Sequence, residues 1–320
     1  MLFQSSVPSL FKNMNLTYNS TVVQIRKQDS AKRLNFYHDS QLTRLEEQLD
    51  ELFSDPNSMI KVQLNVVKKV INNLAQTYRE PPVRILEGGT EKDQDLYNQI
   101  IEDCQFDVKM KQASRYCKLL KTILIRPVWR NDKIDIDILT GNLLDVLTGD
   151  TPEKLLKVLV TNYGTSDNIE DVTYSLWSKD NWIRLDYRGN ILEQELNPYK
   201  IIPFLPVFDF SPPSSGFWLP GGDDIISIQE SINLKLTDLL YLIQNQSFGV
   251  GYLKSNDSGG SLRVDPGSFV QLGIQDEVGF INQQSEISQV VASIDKLVGW
   301  ICVSNGLSAS SMSTDPQTQC

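Results

Sequence analysis

Apolar residues recur at steps of three and four through some stretches of this chain and at steps of two through others, so helical and strand segments separate along it. Leu42, Leu45, Leu49 and Leu52 or Phe53 mark a first helix within 31–55, stopped by "SDPNS" at 54–58. Val62, Val66, Val70, Leu74 and Tyr78 predict a second over 59–80, closed by Pro81 and Pro82, through which a helix cannot continue. Leu96, Ile100, Cys104, Val108 and Tyr116 place a third over 93–119, after the polar connector "EGGTEKDQ". From 121 the period falls to two. "KTILIRPVW" and "KIDIDIL" read as a hairpin turning at "RND", and β-rich pattern continues to 210 with turns at 179–181 and 188–190.

"SPPSSGFWLPGG" at 211–222 interrupts everything before the longest helical signal, 221–248. There Ile225, Ile228, Ile232, Leu236, Leu239 and Ile243 form one stripe, while Ile226, Leu234, Leu240, Tyr241 and Leu242 lie off it. Such a helix is apolar over more of its circumference than a surface helix needs, and 25 residues of it span about 37 Å. A glycine-rich β module follows at 249–282. Residues 283–307 are helical again, with Ile287, Val290 or Val291, Ile294, Leu297 or Val298, and Ile301 on one face, and 308–320 is a polar tail. The order predicts an α+β fold without a fixed-period repeat.

Composition adds limits. With 320 residues, 40% hydrophobic and 22% charged, the chain suits one large or two ordinary folded domains. A net charge of −10 argues against gripping nucleic acid by neutralising many phosphates, although an acidic wall suits DNA that must slide past. The absence of a long uninterrupted apolar run, and an N-terminus without a basic start and apolar block, lead to the expectation of no membrane span and no signal peptide. Four cysteines without CxxC spacing fit a reducing compartment.

Candidate chemistry is sparse. His38 is the one histidine, and no nucleophile frame such as GxSxG accompanies it; zinc would need several His or Cys ligands in a cluster. "GGDD" at 221–224 opens a helix, where two acids cap orphan N–H groups and favour the positive dipole end. Asp135 and Asp137 alternate with isoleucines as the wet face of a half-buried strand. A metal-dependent enzyme using Asp132, Asp135, Asp137, Asp223 and Asp224 is the alternative from another class. "EGG" at 87–89 and Gly249-Val-Gly251 complete no phosphate loop, and Lys61, Lys68 and Lys69 read as a solvated helix face. The expectation is a protein without enzymatic activity, cofactor or metal.

"RLNFYHDSQ" (33–41), "NVVKKVINNLAQTYREPPVRI" (65–85), "NPYKIIPFLPVFDF" (197–210) and "GDDIISIQESINLKLTDLLYLIQNQSFGVGYL" (222–253) occur in an order that resembles the portal proteins, or head-to-tail connectors, of tailed bacteriophages. The resemblance spans roughly 30–310. It implies a homo-oligomeric ring, typically a dodecamer, at one capsid vertex beside the major capsid protein. Double-stranded DNA would pass through without sequence specificity, with the terminase large subunit and later a head-tail adaptor docking below. It further implies a helical and β-sheet wing over 1–220, a stem helix over 221–248, a clip over 249–282 and a returning stem or tunnel helix over 283–307. The chain stops where portals continue into a crown, so the crown is short or absent. Leu234, Leu240 and Leu242 would be covered by the neighbouring subunit. Glu230, Asp238 and Glu286 would face the channel, and Asn256, Asp257, Arg263 and Asp265 would meet partners at the clip. Assembly in the host cytoplasm and residence in the virion follow. The rival within the same class is a ring-forming capsid-associated or head-tail adaptor protein without a DNA channel.

Overall fold

A computed structural model describes residues 21–53, 56–76, 78, 80–164, 168–212, 216–248, 250–254, 277–281 and 287–308. The fold is mixed α+β, with seven α-helices and antiparallel sheets among those residues. Two compact units divide it, one formed by 1–39 with 67–226 and the other by 40–66 with 227–320. The segment 40–66 thus belongs with residues from 227 onward and not with the rest of 1–220.

The first unit opens with α1 (Thr21–Tyr37), a helix that the sequence pattern did not separate from the next. It ends where Asp39 takes a left-handed φ of 64°, so one helix over 31–55 becomes two. Likewise the helix expected over 93–119 is α4 (Glu91–Asp103) and α5 (Phe106–Leu120), broken at Gln105, whose φ is 51°. The break lets both helices touch the hairpin strands, which a single straight rod about 40 Å long would overshoot. It leaves Leu96 and Val108 of the predicted stripe exposed.

β1 (Thr122–Arg130) and β2 (Lys133–Leu139) form the expected hairpin in a two-residue turn, Asn131 and Asp132 both having positive φ. β8 (Leu205–Phe208) joins the other side of β1 to give the order β2-β1-β8. A second sheet runs β3 (Leu144–Thr148), β4 (Leu155–Asn162), β5 (Thr173–Ser178), β6 (Asn181–Leu185) and β7 (Ile191–Leu196) as a meander. Alternation along β4 buries both of its faces. Leu159 packs with Tyr174, Leu176 and Leu185, while Val158 and Val160 pack with Leu124, Leu139, Leu144, Phe204 and Phe217. Each such side chain contributes about 1.5–3 kcal/mol by leaving water.

Between β7 and β8 the turn at 197–201 is built around Asn197, which is 4% exposed. Its amide nitrogen donates to the carbonyls of Ser178 and Ile201, and its side-chain oxygen accepts from the Tyr199 N–H. Lys200 completes the turn with a φ of 54°. Tyr199 and Ile201 are thereby held outward, in solvent.

Polar ties fix the rest of this unit. The Arg26 guanidinium of α1 donates to the carbonyls of Gly141 and Leu144 and to Asp145, and stacks on Trp218 at 3.9 Å; Lys27 reaches the same carboxylate at 2.6 Å. Burial pushes the Asp145 carboxyl up and both cations down, so desolvation outweighs attraction in this triad. Asp135 and Asp137, expected as a wet face, are instead half-buried and held by Lys109, Arg126 and Arg130. Their carboxylates are spent on cations. Asp145→Asn will strand two buried cations and cost about 3–5 kcal/mol in urea unfolding, whereas replacing Arg26, Lys27 and Asp145 together by apolar residues will cost less.

Candidate functional site

In the second unit α2 (Leu42–Leu52) buries Leu45 and Leu49 against Met59, Leu234 and Tyr241. α6 (Asp223–Phe248) is the long helix, and β9 (Val250–Lys254) pairs with β10 (Glu277–Ile281) as an antiparallel hairpin directly after it. α7 (Ile287–Ser304) follows. In chain order the described residues after 222 thus give a long helix, a two-stranded hairpin and a second helix.

The buried stripe of α6 differs from the expected one. Ile225 and Ile232 are deep, but the other deep positions are Gln229, Asn233 and Thr237, each at most 2% exposed. Ile228, Leu236 and Leu239 are only half-buried, and Ile243 is 39% exposed. The polar stripe has a partner. Gln229 Oε1 accepts from the Val66 N–H at 2.9 Å, Asn233 Oδ1 from Leu64 at 3.1 Å and Thr237 Oγ1 from Val62 at 3.3 Å. Gln229 also donates to the Leu64 carbonyl and to Asn233, and Asn233 donates to buried Gln41 at 2.8 Å. These bonds correct the second predicted helix: only α3 (Val66–Leu74) is helical, because the N–H groups before it are drawn to α6. They also explain why Gln41, at the start of α2, makes no side-chain cap.

The residues assigned to subunit contact and channel divide. Leu234 packs on Leu45 and Leu49 of its own unit, while Leu240 and Leu242 are half-buried. Glu230 is tied to Arg44 at 3.0 Å with 14% of its side chain exposed, and Asp238 is half-buried. Glu286, Asn256, Asp257, Arg263 and Asp265 lie outside the described residues.

On α7 the predicted face is the buried one, with Ile294 and Ile301 deepest and Ile287, Val290, Leu297 and Val298 half-buried. The opposite side exposes Trp300 (61%) and Val303 (66%), and Val291, at the margin of the buried face, is 43% exposed. By length and composition α7 is apolar enough to cross a membrane, with a mean hydropathy of 1.3 over 18 residues, although its apolar run is not uninterrupted, contrary to the expectation of no such segment. Asp295 and Lys296 sit exposed in its middle. Each would cost about 2.5–3.5 kcal/mol at a bilayer centre, so a protein surface with polar groups suits this face better than lipid.

Other candidate groups are engaged locally. His38 Nε2 lies 3.0 Å from the Tyr116 hydroxyl, just past the end of α1. Asp223 stands in the first turn of α6 and pairs with Arg33, whose guanidinium also donates to the Gly221 carbonyl. Gly222 has a φ of 89°, and a Cβ there would stand 3.2 Å from that guanidinium. Lys61 pairs with Glu46, and Lys68 with Asp39. "EGG" at 87–89 leads into Thr90, which forms a capping box with Asp93. Among the described residues no three His, Cys, Asp or Glu side chains gather as a metal site.

Cys104, Cys117 and Cys302 are buried free thiols, and burial pushes Cys117 up to about 11. At pH 8 that thiol will carry roughly 100-fold less thiolate than an ordinary cysteine, so native alkylation of Cys117 followed by mass spectrometry will lag the unfolded chain by at least that factor. Asn233→Leu will leave the Leu64 N–H and the Gln41 and Gln229 side chains short of a partner and lower stability by roughly 2–3 kcal/mol in urea unfolding, with Thr237→Val costing less. No protein-family model matches the chain, and no curated protein matches it, so function rests on the geometry of these helices and on sequence resemblance.

Proposed function

We propose that this chain is a portal, or head-to-tail connector, subunit of a tailed bacteriophage. In this reading it forms a ring, a dodecamer by family resemblance, at one capsid vertex against the major capsid protein. Duplex DNA enters through the ring during packaging and leaves through it at ejection. The terminase large subunit and then a head-tail adaptor dock at the hairpin end, where Asn256, Asp257, Arg263 and Asp265 fall in the sequence.

One observation carries this reading: two helices flanking a hairpin both keep apolar side chains that their own unit leaves uncovered. Trp300, Val303 and Val291 on α7 and Ile243 on α6 are exposed, and Leu240 and Leu242 are half-covered. A neighbouring copy in a closed ring supplies the missing cover without leaving an open edge. Trp300 is the anchor such a contact favours, being large, rigid and costly to leave in water. The acidic balance suits a wall that DNA slides along.

Electron microscopy of the purified chain, with its mass in solution, will give rings whose central hole exceeds about 20 Å, the width of duplex DNA. Rings with a narrower hole will support the adaptor alternative, and a monomer at all concentrations will overturn both. Leu240→Asp and Trp300→Ser will leave the chain soluble and folded by circular dichroism but shift it from rings to monomers, because the first buries an unpaired charge at the contact and the second removes its anchor. Unchanged rings in both variants will rule out this contact face.

A further inference from the structure

The two sheets of the first unit have four outer edges, on β2, β8, β3 and β7. An unprotected edge is a template for another strand, and proteins block edges with charge, proline or cover. Three of the four are treated so. On β2 the Lys109 ammonium donates to the Ile136 carbonyl at 3.1 Å, and the Ile136 N–H is taken by the Asp135 side chain at 2.8 Å. On β3 the Arg26 guanidinium takes the Leu144 carbonyl at 2.9 Å, and Leu144 and Asp145 are buried. β8 carries Pro206, which has no N–H to offer.

β7 has neither proline nor cover, and the charge it carries is the acid pair Glu193 and Glu195, all of one sign. All six residues of "ILEQEL" are exposed, with Ile191 at 49%, Leu192 at 56% and Leu196 at 79%. Among the described residues no side chain reaches its backbone. The register with β6 shifts once, at Leu192, and the four residues Glu193 to Leu196 beyond it pair with β6 without interruption.

We infer that the outer edge of β7 is a docking site for an extended segment of another protein that is basic on one face and apolar on the other, added as a sixth strand. The charge pattern selects that occupant. Glu193 and Glu195 lie on one face of β7, and on the inner side Glu193 already stands opposite Arg184 of β6. A lysine or arginine at alternate positions of the incoming strand repeats that pairing outside, while its apolar side chains meet the face that carries Leu196. A second copy of β7 is a poor occupant. Antiparallel pairing centred on Gln194 sets Glu193 opposite the other copy's Glu195 twice over, and like charges directly opposite destabilise a ladder. The inference stands apart from the portal reading and does not need a ring.

The test uses the full chain and a fluorescent, end-capped peptide alternating lysine and valine, at physiological salt. Fluorescence anisotropy will show binding, and hydrogen exchange will slow at the amides of 191–196. The same peptide N-methylated at every residue keeps its charge but has no N–H for a ladder on either edge, and it will not bind. Glu193→Lys with Glu195→Lys will weaken the lysine peptide by about tenfold and favour its glutamate–valine counterpart. Equal binding of the N-methylated peptide means charge adhesion only and overturns the proposal, as does failure of the lysine peptide to bind. Slow exchange at 191–196 without peptide, lost on dilution, would assign the edge to a second copy and overturn the named occupant.

Discussion

The second unit depends on a match between two backbone periods. Each four-residue step of α6 between Gln229, Asn233 and Thr237 advances about 6.0 Å, and two residues of an extended strap advance about 6.6 Å. Side chains four apart on a helix therefore meet N–H groups two apart on a chain running the other way, here those of Val66, Leu64 and Val62. Three buried polar residues that would each be costly alone become satisfied together. They fix α6 in register, since of the next positions along the same line Ile225 has no acceptor and Tyr241 packs on Leu45 and Leu49. With that line filled by polar groups beyond Ile225, several apolar residues of α6, Ile228, Leu236, Leu239, Leu240 and Leu242, are displaced toward its flanks, where they are only half-buried.

That displacement marks where the sequence was legible and where it was not. Periodicity located the hairpin of β1 and β2 because Asn131-Asp132 suits a turn with two positive φ values, and it located the buried face of α7 because that face is apolar throughout. It placed α6 between 221 and 248. It failed on which side of α6 is buried, because Gln229, Asn233 and Thr237 look like surface residues until their partner strap is known. The same partner turned 61–65 away from a helix that Val62, Val66 and Val70 predict. Long-range hydrogen bonding overrode a local pattern in both cases.

The candidate site was half legible. Leu240 and Leu242 were singled out as surplus apolar positions and remain half-covered, while Leu234, chosen on the same reasoning, belongs to the core with Leu45 and Leu49. Helical spacing alone does not separate the two outcomes. Trp300 and Val303 lie off the stripe of α7 that packs inward, so the spacing that marks the buried face does not mark them. The signal was present in the sequence: a tryptophan off the stripe of an apolar helix is a residue with no cover of its own.

The turn at 197–201 has a different consequence. Asn197 spends its amide on the backbone of its own loop, so Tyr199 and Ile201 stand in water on a frame that is already rigid. The ordering of that loop is settled when the chain folds. Whatever surface meets these two side chains loses little further backbone freedom in doing so, and a larger share of the contact energy survives as affinity.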